Sequence, residues 1–376
     1  MPVNNRRRNL LMGTGAAFMS GLAGCVGGDD DSGSGGNGDS TGNGTGNGGG
    51  TEFEDFDPDN PVFPQMAPTL LDEGFEVANI NELDNFEERD EPRYGNPHPE
   101  PPESSDEWID PDTIVMSLVP SEDPGVYEDL MDPIRENVEA ETGKDTEFHG
   151  LTSYAAQVEA MRADRLHTCG FGTGAVPFAV NMAGAVPFAI QVAEDTFGYK
   201  LWVVTQANND EINSLDDLEG KSVAHTDPAS NSGNLAPRAW FTDEGVEPDE
   251  DYDVEYSGSH ENSILGVQHG DYEAAPVAST VVERASREGA ADADELKVVY
   301  NSVPFVTTGF TYKYNLHPDI REGIRNAYLE YDYMDTELAE YYDGRGRWVE
   351  IDYASHWDAV LSIQEYNEVE YVEDQI

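Results

Sequence analysis

Basic side chains are scarce in this chain. Of 376 residues, 20 are Lys or Arg against 76 Asp or Glu, a formal net charge of −56. Lysine occurs only at 144, 200, 221, 297 and 313. A surface so poor in cations cannot neutralise a run of phosphates, which excludes nucleic-acid binding through the backbone. Cysteine is nearly absent as well, with only Cys25 and Cys169. Two such isolated thiols make no disulfide framework, and Cys169, in an apolar run, reads as an inert buried thiol. No apolar run is long enough for a stable membrane-spanning helix: Leu10–Ala23 is short, mild and rich in Gly and Ala. The phosphate-cradling loop GxxxxGK[ST] is missing, which argues against ATP hydrolysis by this chain. No Ser–His–Asp set or metal-ligand cluster stands out. The sequence therefore calls for no catalytic residue, no metal and no cofactor.

An acidic bias of this size ordinarily describes a disordered tail. Here 38% of residues are hydrophobic, and the carboxylates are interleaved with Trp, Tyr, Phe and Val at strand-like and helix-like spacings. The chain reads as a folded body adapted to molar salt, as in a halophilic cell. In molar salt the Debye length falls to about 3 Å and self-repulsion is screened.

The N-terminus reads as an address and an anchor, over residues 1–25. Arg6, Arg7 and Arg8 precede the mild apolar stretch, and Arg7 to Leu11 (RRNLL) resembles the twin-arginine export motif. Leu22, Ala23, Gly24 and Cys25 resemble a lipobox, so Cys25 is expected to carry a lipid at the outer face of the cell membrane. Residues 26–110 read as a disordered Gly-rich and then acidic, Pro-rich linker. Asn43 heads a glycosylation sequon. The aromatics Phe53, Phe56, Phe63 and Phe75 offer points at which part of this linker could dock.

From about residue 111 the pattern changes. Strand-like runs near 113–119, 168–171, 185–192, 199–205, 222–226, 253–256, 274–277, 296–300 and 305–311 alternate with helical ones. The helical runs include 126–142, with Leu130, Ile134 and Val138 on one face and Pro133 at a start or kink. Repeated strand–helix units predict an α/β body with largely parallel sheets. A body of 111–376 exceeds the usual single-core range, so two lobes are expected.

Two helix starts carry the chemistry. A strand ending at Thr226 is followed by a turn at Asp227 and Pro228, and Ser230, Asn231, Ser232 and Gly233 then open a helix. Helix N-termini present unpaired N–H groups and a partial positive charge to an oxyanion. The same residues also serve as a plain N-cap. A second strand leads into Ser257 to Asn262, where His260 can donate to an anion, or pair with one if protonated; a surface or capping histidine reads equally well.

These stretches resemble the phosphonate- and phosphite-binding proteins of ABC importers. The resemblance rests on four segments of 113–330: Tyr154 to Arg162 (YAAQVEAMR), Phe171 to Ala175 (FGTGA), Ser214 to Ala224 with Asp227 to Gly233, and His260 to Ile264 with Gly270 to Ala275. It implies the type II periplasmic-binding fold, two lobes joined by a two-strand hinge around a ligand cleft. Lobe 1 would span about 113–205 and 304–376 and lobe 2 about 206–303, with crossovers near 204–206 and 303–306. It implies that Ser230, Asn231 and Ser232 hold the oxyanion, that His260 is a ligand histidine, and that Tyr154 and Tyr199 face the ligand from the other lobe. Thr280 and Thr308 stand where aminophosphonate binders carry carboxylates, which points to an amine-free ligand. The implied partners are a small oxyanion and the permease and ATPase subunits of the importer, with the chain a monomer held at the membrane by its lipid. A sulfonate or thiamine-precursor binder, a sensor-linked receptor and a secreted hydrolase are the alternatives.

Overall fold

The computed structural model describes residues 57, 61–73, 75 and 77–376. All of them belong to one unit, Glu52–Ile376. The twin-arginine stretch, Cys25, the Gly-rich tether and Asn43 lie outside the described residues.

Two six-stranded sheets organise the chain. In the first, strands run in the order Arg347–Glu350, Ala185–Val192, Gly309–Lys313, Thr168–Phe171, Thr113–Ser117, Asp145–Phe148. In the second, the order is Gln65–Met66, Leu296–Asn301, Leu201–Gln206, Ala274–Ala278, Ser222–His225, Asp253–Tyr256. Continuous apolar runs such as AVPFAIQV and LWVVT form central strands because helices or loops cover both faces, and both runs are buried throughout.

The sheets are mixed, which corrects the expectation of largely parallel ones. In each, one end is parallel and the other antiparallel. The reason lies in the connectivity. After leaving the first lobe the chain builds the second, and the returning strand Gly309–Lys313 enters the first sheet against the direction of both its neighbours. The first crossover also moves. Leu201–Gln206, expected at the end of lobe 1, sits inside the second sheet between Leu296–Asn301 and Ala274–Ala278. The chain therefore crosses at residues 198–200 and returns at 302–308. There the Tyr199 and Phe305 backbones exchange hydrogen bonds of 3.1 and 2.8 Å. Pro133 lies in the first turn of helix Asp132–Thr142 and marks its start.

Residues 61–110 are not a disordered linker; this part of the 26–110 expectation is corrected. The segment is a strap over the body. Gln65 pairs with Val298 at the edge of the second sheet, and Leu70 is fully buried. The Phe75 ring meets Trp202 edge-on at 4.8 Å, and Asn79 pairs with Thr196 beside the first crossover. Arg93 grips the Asp358 carboxylate through two hydrogen bonds of 2.7 and 2.8 Å, and the Tyr94 hydroxyl donates to the Val369 carbonyl at 2.7 Å. Proline and charge cannot form a core, but a strap needs only a few apolar side chains to lie on one. Leu70→Ala should lower unfolding stability in molar salt by about 2–5 kcal/mol. An unchanged denaturant midpoint would mean that the strap contributes nothing to the fold.

Candidate functional site

The strand Ser222–His225 delivers the chain to a turn. Asp227 shapes it, accepting at its Oδ1 from the Ala229 N–H (2.9 Å) and at its carbonyl from the Ser230 N–H (3.0 Å). Ser230 then caps the helix that continues through Trp240: its Oγ accepts from the Gly233 N–H at 3.2 Å. The Ser230 carbonyl accepts from both Asn234 and Leu235, at 3.1 and 2.9 Å, which widens the first turn. N–H groups at such a start have no partner within the helix and favour an anion.

His260 opens the helix His260–His269, capped by Ser259. Its Nδ1 accepts from the Ala278 N–H at 3.1 Å, so the neutral ring carries its proton on Nε2, 3.3 Å from Ser230 Oγ. Burial pushes the imidazole down to about 4. His260 is thus a neutral donor near pH 7, and the charge-pairing role considered from sequence gives way to hydrogen bonding.

The first lobe supplies the opposing wall. Ser153 caps the helix that begins with Tyr154. The turn Gly172 to Gly174 is held from the C-terminal helices, by Trp357 Nε1–H donating to the Thr173 carbonyl (2.9 Å) and Gln364 Nε2–H to the Gly174 carbonyl (2.8 Å). Asn231 Nδ2–H donates to the Tyr199 hydroxyl at 3.3 Å. A Cβ on Gly174 would stand 2.2 Å from the Ala229 carbonyl oxygen and 2.7 Å from the Asn231 nitrogen, so only glycine allows the lobes this approach. Between them lies a cavity of about 80 Å³.

Seven residues singled out from sequence line this cavity: Tyr154, Tyr199, Ser230, Asn231, His260, Thr280 and Thr308. Ser232 and Gly233 are not among its lining residues. Ser232 is buried, with its side chain beside the Tyr199 hydroxyl. Gly233 is a glycine because a Cβ would come within 2.0 Å of Thr226 Oγ1; it serves packing within the lobe rather than approach to a ligand. Sequence reasoning missed Gln191, Arg284 and Arg345, which also line the cavity. Arg284 stands one helical turn after Thr280, and in a chain with so few cations any arginine inside the folded body was a signal.

Arg284 belongs to an ion pair that joins the lobes. Its Nε–H donates at 2.9 Å to Oε1 of Glu122, which follows the first-lobe strand Thr113–Ser117. Both side chains are more than nine-tenths buried. The Tyr127 and Tyr341 hydroxyls donate to the other carboxylate oxygen at 3.2 and 2.6 Å. Burial alone would raise the Glu122 carboxyl; the Arg284 charge and these hydrogen bonds outweigh it and hold the group below its ordinary value. The pair therefore supports the closed lobes above the ordinary glutamate range. That support is lost as pH falls through the depressed value.

Among the described residues, no group of three or more His, Cys, Asp or Glu could hold a metal ion, and no helix is long and apolar enough to cross a membrane. Cys169 is buried, and burial pushes its thiol up.

The His260 geometry makes a spectroscopic prediction. In protein without a bound anion, nitrogen NMR of the ring at pH 6 should show the neutral tautomer protonated at Nε2, with titration only near pH 4. An imidazolium at pH 6 would contradict it. Because the folded value lies below the usual 6.5, the unfolded chain binds the extra proton first. His260 therefore costs stability as pH falls from about 6.5 towards 4.

Comparison with known proteins agrees with this architecture. Residues 116–357 match the family described as "ABC transporter, phosphonate, periplasmic substrate-binding protein". The chain is 28% identical over 235 residues to the phosphate-import protein PhnD of Mycolicibacterium smegmatis, spanning 58% of this chain and 72% of that one. Two solved structures share the fold. One is a binding-protein component of an ABC phosphonate transporter from Pseudomonas aeruginosa (TM-score 0.60, 21% identity, 69% of this chain and 86% of that one). The other is PhnD1 of Prochlorococcus marinus in complex with methylphosphonate (TM-score 0.59, 16% identity, 69% of this chain and 99% of that one). With two lobes of the expected kind and a match across more than half its length, the chain belongs to the family of periplasmic substrate-binding proteins of ABC phosphonate transporters.

Proposed function

We propose that this chain captures an amine-free phosphorus oxyanion (phosphate, phosphite or an alkylphosphonate) by closing its two lobes around it at the outer face of the cell membrane. The observation that carries the reading is the convergence of the Ser230 helix cap, Asn231 and the Nε2–H of His260 on one cavity, opposite the hydroxyls of Tyr154 and Tyr199. All are neutral donors, and closure removes the water that would compete with them. A cavity of about 80 Å³ suits a compact oxyanion better than a flat ring such as a thiamine precursor. Thr280 and Thr308 supply hydroxyls where an amine would need carboxylates. The protein named for phosphate import and the methylphosphonate complex are relatives whose ligands have this compact form.

In this reading Ser232 contributes through its backbone at the helix start. Cys25 carries the lipid anchor, and Arg7 and Arg8 direct export. The chain acts as a monomer that hands its ligand to the permease and ATPase subunits of the importer. It performs no covalent chemistry.

Calorimetric titration in molar salt is the test. Phosphate, phosphite or methylphosphonate should bind, and aminoethylphosphonate should not. Ser230→Ala and His260→Ala should each weaken binding by about 10- to 100-fold, as expected for losing a hydrogen bond to a charged group. No heat with any of these ligands would contradict the proposal.

A further inference from the structure

Arg345 is a buried cation that the anion-holding groups do not explain. It lies in the turn before strand Arg347–Glu350, is 7% exposed and lines the cavity. Its Nη1–H donates to the Tyr342 carbonyl at 3.0 Å, and its Nε has no hydrogen-bond partner. The acidic groups that act on it are engaged elsewhere. Glu283 and Asp343 hydrogen-bond to each other and sit 3.4 and 3.8 Å from Arg287 Nη1. Arg284 is already matched by Glu122, and His260 is neutral. Arg345 is therefore the positive charge of this cavity without a directly bound carboxylate. An unmatched buried charge is costly, and an anion beside it offsets that cost.

Its setting separates it from the Ser230 end. The Arg345 carbonyl accepts from Gln191 Nε2–H at 2.5 Å, and the Gln191 carbonyl accepts from Thr307 Oγ1–H at 3.1 Å. Arg345, Gln191 and Thr307 thus form one hydrogen-bonded wall carried by the first lobe and the returning crossover. Ser230 and His260 form another group on the second lobe, and Asn231 ties that lobe to Tyr199. The helix start offers short neutral donors suited to a phosphoryl group. Arg345 offers a planar fork suited to a carboxylate. The one cavity is lined by both groups.

We propose that Arg345 forms a second anion subsite in the cleft, and that the preferred ligand is a phosphonate bearing a carboxylate on an arm of one or two carbons. This rests on the oxyanion-capture reading above, with the phosphoryl group at Ser230 and His260 and the carboxylate at the guanidinium.

Titration in molar salt with methylphosphonate, phosphonoacetate and 3-phosphonopropionate separates the two readings. In the unmodified protein one of the carboxylated ligands should bind at least about tenfold more tightly than methylphosphonate. Arg345→Gln should shrink that advantage to about threefold or less, and Arg345→Lys, which keeps the charge, should retain part of it. Methylphosphonate binding as tightly as the carboxylated ligands in the unmodified protein would overturn the subsite while leaving oxyanion capture standing. So would Arg345→Gln weakening all three in equal proportion, since the guanidinium would then be holding the phosphoryl group. If none of the three binds the unmodified protein, oxyanion capture fails and the subsite fails with it.

Discussion

Taking an anion out of water inside a chain of formal net charge −56 is the constraint on which the cleft depends. An isolated buried anion is strongly disfavoured, and the surrounding carboxylates add repulsion. The protein meets this locally. In molar salt, where such a charge would be tolerated, the long-range field is confined to a few ångströms. Within that range the cavity presents hydroxyls, an amide, a neutral imidazole and a helix start, with two guanidinium groups behind them. The neutral state of His260 has the same origin: burial keeps the ring uncharged, and the Ala278 N–H fixes which nitrogen can donate.

Closure is held by groups outside the Ser230 cradle. The Glu122–Arg284 pair joins the lobes where water is excluded, and two tyrosine hydroxyls satisfy the carboxylate oxygen that Arg284 leaves. A buried pair of this kind adds little net stability over an apolar contact, but removing one partner strands the other at a cost of about 3–5 kcal/mol. It therefore acts as a requirement of geometry: the lobes meet in the one arrangement that keeps both charges matched. The strap from Gln65 to Tyr94 runs from the edge of the second sheet, past the first crossover, to the C-terminal helices that hold the Gly172–Gly174 turn. The segment from Gln65 to Tyr94 is in this way part of the scaffold around the cleft.

Legibility from sequence tracks the range of the interactions. Ser230, Asn231 and His260 were legible because helix capping is local: a strand, a polar turn and a helix start within a dozen residues fix where the donors go. Most of the alternating strands and helices were legible for the same reason. The direction of the sheets was not, because it depends on the chain leaving one lobe and returning to it. Leu201–Gln206 could not be assigned to its lobe by composition, since a central strand reads alike in either sheet. Glu122 and Arg284 are 162 residues apart, and nothing near either predicts the other. Arg345 sits in a Gly-flanked turn without periodicity, and only the fold brings it to the cavity. The strap was misread because its proline and charge outweigh the few apolar residues that dock it, Leu70 foremost.

A crystal structure grown in molar salt with methylphosphonate would show whether a phosphorus oxyanion sits between the lobes against the Ser230 helix start. Phosphonate oxygens are expected within hydrogen-bonding distance, about 2.7–3.2 Å, of Ser230 Oγ and His260 Nε2, with the lobes closed on them. Phosphonate bound away from these atoms, or a cleft closed without it at saturating concentration, would rule out this mode of capture.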